Sequence, residues 1–96
     1  MLEKNIETSI KKWLSEQGYY FFKVHGSSFM LPGIPDIVCC INGFFVGIEV
    51  KNKGKLYNQS EQQKIHEQLI IKNKGVYILA DSLKTVQERL CQLQII

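Results

Sequence analysis

Apolar residues recur first at helical spacing: Ile6, Ile10, Trp13 and Leu14 fall on one stripe between about Glu3 and Gln17. Gly18 follows where a left-handed residue closes a helix. The aromatic run from Tyr19 to Val24 favours a strand, because bulky rings suit a pleated surface. His25 to Gly33 carries Gly, Ser and Pro and reads as a loop. Two apolar runs follow, about Asp36 to Ile41 and Phe44 to Lys51, with Asn42-Gly43 between them. Asn52 to Gln59 is polar and contains Gly54, as a connection would. Ser60 opens a second helix with an apolar stripe at Ile65, Leu69 and Ile70, and Gly75 is expected to end it. Val76 to Ala80 is continuously apolar, the pattern of a strand covered on both faces. Asp81 or Ser82 can cap a last helix striped by Leu83, Val86 and Leu90. The order α, β, β, β, α, β, α predicts an α/β fold: one domain over 1–96, its mixed sheet flanked by helices. The strand–helix–strand segment within it implies a parallel pair with a right-handed crossover.

Asn-Gly between apolar runs is a hairpin signal, since both central residues of a type I′ turn need positive φ. If Asn42 and Gly43 form the loop, Ile41 pairs with Phe44, and counting outward in step sets Asp36 directly opposite Glu49. Opposed Cβ atoms lie roughly 5 Å apart, where like charges repel. Lys51 shares the face, because side chains two apart on a strand point the same way. An odd-residue slip or a bulge would separate the two acids.

Composition adds boundaries. Ninety-six residues at 45% hydrophobic and 22% charged suit one small globular domain. No apolar run approaches a membrane span and the N-terminus lacks a signal-peptide core, so a cytoplasmic protein is expected. Cys39, Cys40 and Cys91 form no C-x-x-C pair and are expected as buried free thiols. The net charge of +3 is mild and does not by itself imply nucleic acid. Its distribution says more: Lys51, Lys53 and Lys55 crowd the segment after Glu49, and Lys64, Lys72 and Lys74 lie on the next helix and its exit. Such lysines are ordinarily a solvated face; beside a metal site they become candidate phosphate contacts. His25 and His66 lack zinc-ligand spacing and read as surface or loop residues.

Each acid has a plain structural reading. Pro35-Asp36 after Gly33 can simply initiate a strand. Glu49 sits in an apolar run where a charge costs several kcal/mol unless paired, and Lys51 is the obvious partner. One lysine does not offset two carboxylates, so the remainder points to a divalent cation. Hard oxygen ligands select Mg²⁺ or Mn²⁺, ions that serve phosphodiester chemistry.

Glu7 on the first helix, Gly33-Ile34-Pro35-Asp36, Glu49-Val50-Lys51, Ser60-Glu61-Gln62-Gln63 and Gly75 together resemble the VRR-NUC domain of the PD-(D/E)XK nuclease superfamily, over nearly the whole chain. The resemblance implies an αβββαβ(α) restriction-endonuclease-like core and a Mg²⁺- or Mn²⁺-dependent endonuclease. It implies that Asp36, Glu49 and the Val50 carbonyl hold metal, that Glu7 completes the metal site, that Lys51 assists the water, and that Gln63 supports the site from the second helix. Small free-standing members of that family look like junction-resolving enzymes, which implies branched DNA, four-way junctions above all, as substrate and a homodimer as the working form.

Other readings stand beside these. Glu7 also suits the first turn of a helix, where its charge meets the dipole. Ser60-x-x-Gln63 is also a capping box, and Gln62 competes for the site if the register differs. The phosphate contacts expected are Lys53, Lys55 and Lys64. For a dimer interface the apolar candidates are Phe29, Met30 and Leu31 in the loop, or Ile95-Ile96. The competing functions are a less selective nicking or flap-cutting enzyme, and a catalytically silent nucleic-acid-binding module.

Overall fold

A computed structural model describes residues 2–26 and 31–96. Its elements run α1 (Glu3–Glu16), β1 (Tyr20–Lys23), β2 (Ile37–Ile41), β3 (Phe44–Val50), α2 (Glu61–Lys72), β4 (Val76–Ala80) and α3 (Leu83–Gln92), the expected order. The strands form one sheet in the order β1-β2-β3-β4; the first three are antiparallel, and β4 joins β3 in parallel through the α2 crossover.

The hairpin fixes everything near the site. Asn42 (φ 51°) and Gly43 (φ 86°) take the two positive-φ positions of the turn. The ladder then runs without a bulge from Ile41↔Phe44 to Ile37↔Ile48. This register turns Ile37, Cys39, Ile41, Val46, Ile48 and Val50 to one face, all buried. There they meet Ile6, Ile10 and Leu14 of α1 and Val86 and Leu90 of α3. A fully buried aliphatic side chain is worth roughly 2 kcal/mol, so a one-residue slip that turned this set outward would unfold the protein. The core therefore sets the position of the polar residues on the opposite face.

Several local expectations change. Helix α2 buries no residue: Ile65 and Leu69 of its expected stripe are 56% and 51% exposed, and only Ile70 is half-buried there. The stripe was too short to set a face, and the helix docks by other means, described below. Its end comes one residue early, with Lys74 rather than Gly75 in the left-handed region (φ 70°), while the Gly75 N–H bonds the Ile70 carbonyl. Of the cysteines, Cys39 alone is buried; Cys40 faces out because strand neighbours alternate, and Cys91 lies on the exposed side of α3. Burial pushes the Cys39 thiol up to about 12, so it is an inert core residue. Ile95 packs in the core and its carbonyl accepts from Asn42 Nδ2, which removes it from the interface candidates. Leu31 is 69% exposed, while Phe29 and Met30 lie outside the described residues. No helix among the described residues is long and apolar enough to cross a membrane.

Candidate active site

Beyond Ile37↔Ile48 strands β2 and β3 diverge, and the chain leaves through Pro35-Asp36. The Val50 N–H is filled there by the Asp36 side chain, whose Oδ2 accepts it at 2.7 Å. A buried amide needs a partner, and the carboxylate supplies it where the ladder has stopped. On the other side the Asp36 carbonyl accepts from the Val24 N–H at 2.8 Å, continuing the β1–β2 ladder by one step. Asp36 is thus held at a fixed point at the end of two strand pairs.

Glu49 is 5% and Lys51 7% exposed, the buried charged residues among those described. Gln63 spans them: its Nε2 donates to Glu49 Oε2 at 2.9 Å, and its Oε1 accepts from Lys51 Nζ at 2.9 Å. The same Oε1 also accepts from the Ser60 N–H at 2.9 Å, while Ser60 Oγ accepts from the Gln63 N–H at 3.1 Å. The capping box and the site contact are one residue acting twice. Gln62 is exposed and stays outside.

Glu49 Oε1 is buried with no hydrogen-bond partner. Burial first, then the neighbouring Asp36 carboxylate, push the Glu49 carboxyl up to about 8, against the opposing pull of Lys51. At neutral pH without a cation Glu49 is held largely protonated, because two carboxylates this close do not both ionise without a counter-charge.

Lys23 is a member of the cluster that sequence reasoning missed. Its Nζ lies 2.6 Å from Glu7 Oε1 and 4.0 Å from Asp36 Oδ1, and Lys11 reaches the other Glu7 oxygen at 3.4 Å. Burial disfavours the Glu7 charge, yet the bonds to Lys23 and Lys11 outweigh it and hold the carboxyl below its usual range. For Lys23 burial pulls down, and Glu7 with the acids behind it pulls further up. Its signal in the sequence was a lone cation ending the aromatic run Tyr20–Lys23, with a partner sixteen residues away.

These lysines bear on the metal expectation. Among the described residues no three His, Cys, Asp or Glu side chains close into a group that could hold an ion. Glu7 does not join Asp36 and Glu49, because its oxygens are drawn onto Lys23 and Lys11. The remaining donors still suit a hard cation: two carboxylates, one with an orphaned buried oxygen that a cation would satisfy. Val50, expected to offer its carbonyl, is seen to anchor Asp36 through its amide.

Gly33 of the Gly-Ile-Pro-Asp segment was also missed as a structural requirement. It has φ +90°, and a Cβ there would stand 2.5 Å from the Gln62 carbonyl carbon. The loop that delivers Asp36 and the turn that delivers Gln63 therefore touch backbone to backbone.

The expected phosphate contacts are all exposed. Lys53 and Lys55 stand on the loop after β3, and Lys64 pairs with Glu61 at 3.3 Å on α2.

No family model and no curated protein matches the sequence. A solved structure described as a "VRR_NUC domain protein" superposes with a TM-score of 0.81 at 18% identity, covering 99% of this chain and 90% of that one. The sequence resemblance and the three-dimensional likeness arrive at one place: this chain has the fold of a VRR_NUC domain protein.

Proposed function

We propose that the chain is a Mg²⁺- or Mn²⁺-dependent endodeoxyribonuclease, selective for branched DNA such as four-way junctions and active as a homodimer. The observation that carries the reading is the buried Glu49 carboxylate, with one oxygen unpartnered, beside Asp36 and bridged to a buried Lys51. A purely structural protein has no use for that arrangement, which costs free energy until a cation arrives.

Asp36, Glu49 and the Val50 carbonyl would hold the metal ion, which when bound supplies a water of lowered pKa and offsets charge on the scissile phosphate. Gln63 fixes the Glu49 carboxylate and one donor of Lys51, leaving the other ammonium donors for the attacking water or a phosphate oxygen. Glu7 would contribute only after exchanging Lys23, and the released lysine is then placed beside the phosphate. Lys53 and Lys55 track the strand, and the exposed Lys64–Glu61 pair is weak enough for a phosphate to displace. For the dimer, the support is the part of the α2-bearing sheet face that α2 leaves open, where Tyr20, Phe22 and Phe45 are 70%, 50% and 46% exposed.

The test is cleavage of a four-way junction, a flap and a linear duplex at matched salt, with Mg²⁺ or Mn²⁺ and with chelator. Wild type cuts the junction in metal only, and Asp36→Asn and Lys51→Ala do not. Equal product in every lane rejects the site. Indifference to DNA shape leaves a nicking enzyme, and binding without cutting leaves a silent module. Light scattering decides the dimer: a monomer with undiminished junction cleavage removes it.

A further inference from the structure

Tyr57 is 77% exposed, the highest value among the large apolar side chains described. A ring in water is unremarkable on a loose loop, but this loop is tied down. The Gly54 N–H donates to Asp81 Oδ2 at 2.9 Å, and Asn52 Oδ1 accepts from the Glu3 N–H at 2.7 Å. Within it, the Lys55 N–H bonds the Asn52 carbonyl at 2.9 Å and the Asn58 N–H bonds the Lys55 carbonyl at 3.0 Å. Lys55 Nζ donates to the Tyr57 hydroxyl at 3.1 Å and stands 5.6 Å from the ring centroid. The ring is presented to solvent with a cation alongside.

Both ends of this loop are the candidate site. It begins after Lys51 and ends at Ser60, whose N–H is bonded to Gln63. Ser60 is three positions after Tyr57, which caps their Cα separation at about 11 Å. An exposed aromatic face beside a lysine, on a loop whose two ends join the candidate site, matches how proteins hold unpaired bases: the ring stacks on the base and the cation takes the adjoining phosphate. A base inside a duplex has its faces covered by its neighbours and cannot use such a ring.

We infer that Tyr57 is a stacking platform for an unpaired base of the DNA substrate, with Lys55 steadying the ring and contacting the adjacent phosphate; this rests on the nuclease reading of the neighbouring site. It assigns a preference for branched DNA that carries unpaired bases, such as forks and flaps, over continuous duplex to a particular side chain outside the acid–lysine cluster.

The probe is a forked duplex carrying 2-aminopurine at its first unpaired position, bound in chelator and followed by fluorescence and anisotropy. Wild type and Tyr57→Phe quench the probe; Tyr57→Leu does not, and it binds the fork about tenfold more weakly while binding paired duplex as wild type does. The substitution is at an exposed position, so an unchanged urea midpoint is expected. Wild-type quenching and affinity in Tyr57→Leu overturn the inference. If metal-dependent cutting by wild type is abolished by Asp36→Asn yet indifferent to Tyr57→Leu, stacking alone falls. If wild type neither binds nor cuts DNA, the nuclease reading falls and takes stacking with it.

Discussion

Replacing Glu49 by Gln removes the ionisation that the metal-free fold resists. In wild type the unfolded chain releases this proton near the ordinary glutamate value of 4.5, and the folded protein holds it until about 8. Between those values the folded state binds more protons, so stability is full below the lower value and falls as pH rises through the window. At about 1.36 kcal/mol per pH unit, the loss reaches as much as ~5 kcal/mol by alkaline pH, a large share of the stability of a small domain. Gln matches protonated Glu in shape and still pairs with Gln63, so Glu49→Gln is nearly neutral at about pH 5 and more stable than wild type at about pH 9. The assay is urea unfolding in chelator across that range, read as the difference between the two proteins. Taking the difference cancels Glu7, whose lowered carboxyl gives stability that is lost as pH falls. Mn²⁺ then stabilises wild type more as pH rises, since it exchanges for the Glu49 proton, and does little for the variant. A wild-type curve parallel to that of Glu49→Gln would refute the reasoning.

Gly33→Ala places a methyl in the Gln62 backbone at φ +90°, and urea unfolding is expected to show a loss of about 2–4 kcal/mol from strain and overlap together. Lys23→Met breaks its ion pair with Glu7 and costs about 1–2 kcal/mol without metal, yet calorimetry should find tighter Mn²⁺ binding because a competing cation has left Asp36 and Glu7. Gln63→Glu keeps the capping box and the acceptor for Lys51 but loses the N–H donated to Glu49. Helix content by circular dichroism is therefore unchanged, while metal-dependent cleavage falls on the order of 10²-fold.

The hairpin was legible because two local rules agree on it. Asn-Gly specifies a two-residue turn, and alternation along both strands specifies which residues face the core; counting then brings Asp36 to the end of the ladder, one step beyond Ile37↔Ile48, where its carboxylate takes the Val50 N–H in place of a strand pairing with Glu49. The residues that escaped are those whose reason lies in a distant segment. Lys23 is an unremarkable strand-end lysine until α1 brings Glu7 against it, and Gly33 is a loop glycine until α2 arrives at its Cα. The stripe on α2 failed for the converse reason. Three aliphatic residues can mark a helix without saying how deeply it sits, and here only Ile70 reaches the sheet, near Gly47. For Gln63 the capping box is observed, and the same side chain also reaches Glu49 and Lys51, since one amide has an acceptor and two donors.

A helix that buries no side chain needs something else to hold it. What fixes α2 is polar and lies mostly at its N-terminal end: the Gln63 bonds to Glu49 and Lys51, the backbone contact at Gly33, and Gln59 linking Glu67 to the Tyr77 hydroxyl at 3.0 and 3.4 Å. Each such bond nets only about 1 kcal/mol, so the seat of the helix depends on all of them being made at once. Ionising Glu49 without a counter-ion strains the centre of this set, and a cation at its orphaned oxygen relieves it. The docking of α2 and the charge state of the site are consequently one equilibrium. The apolar core between the sheet and α1/α3, whose residues take part in none of these bonds, supplies the rigid frame against which it is set.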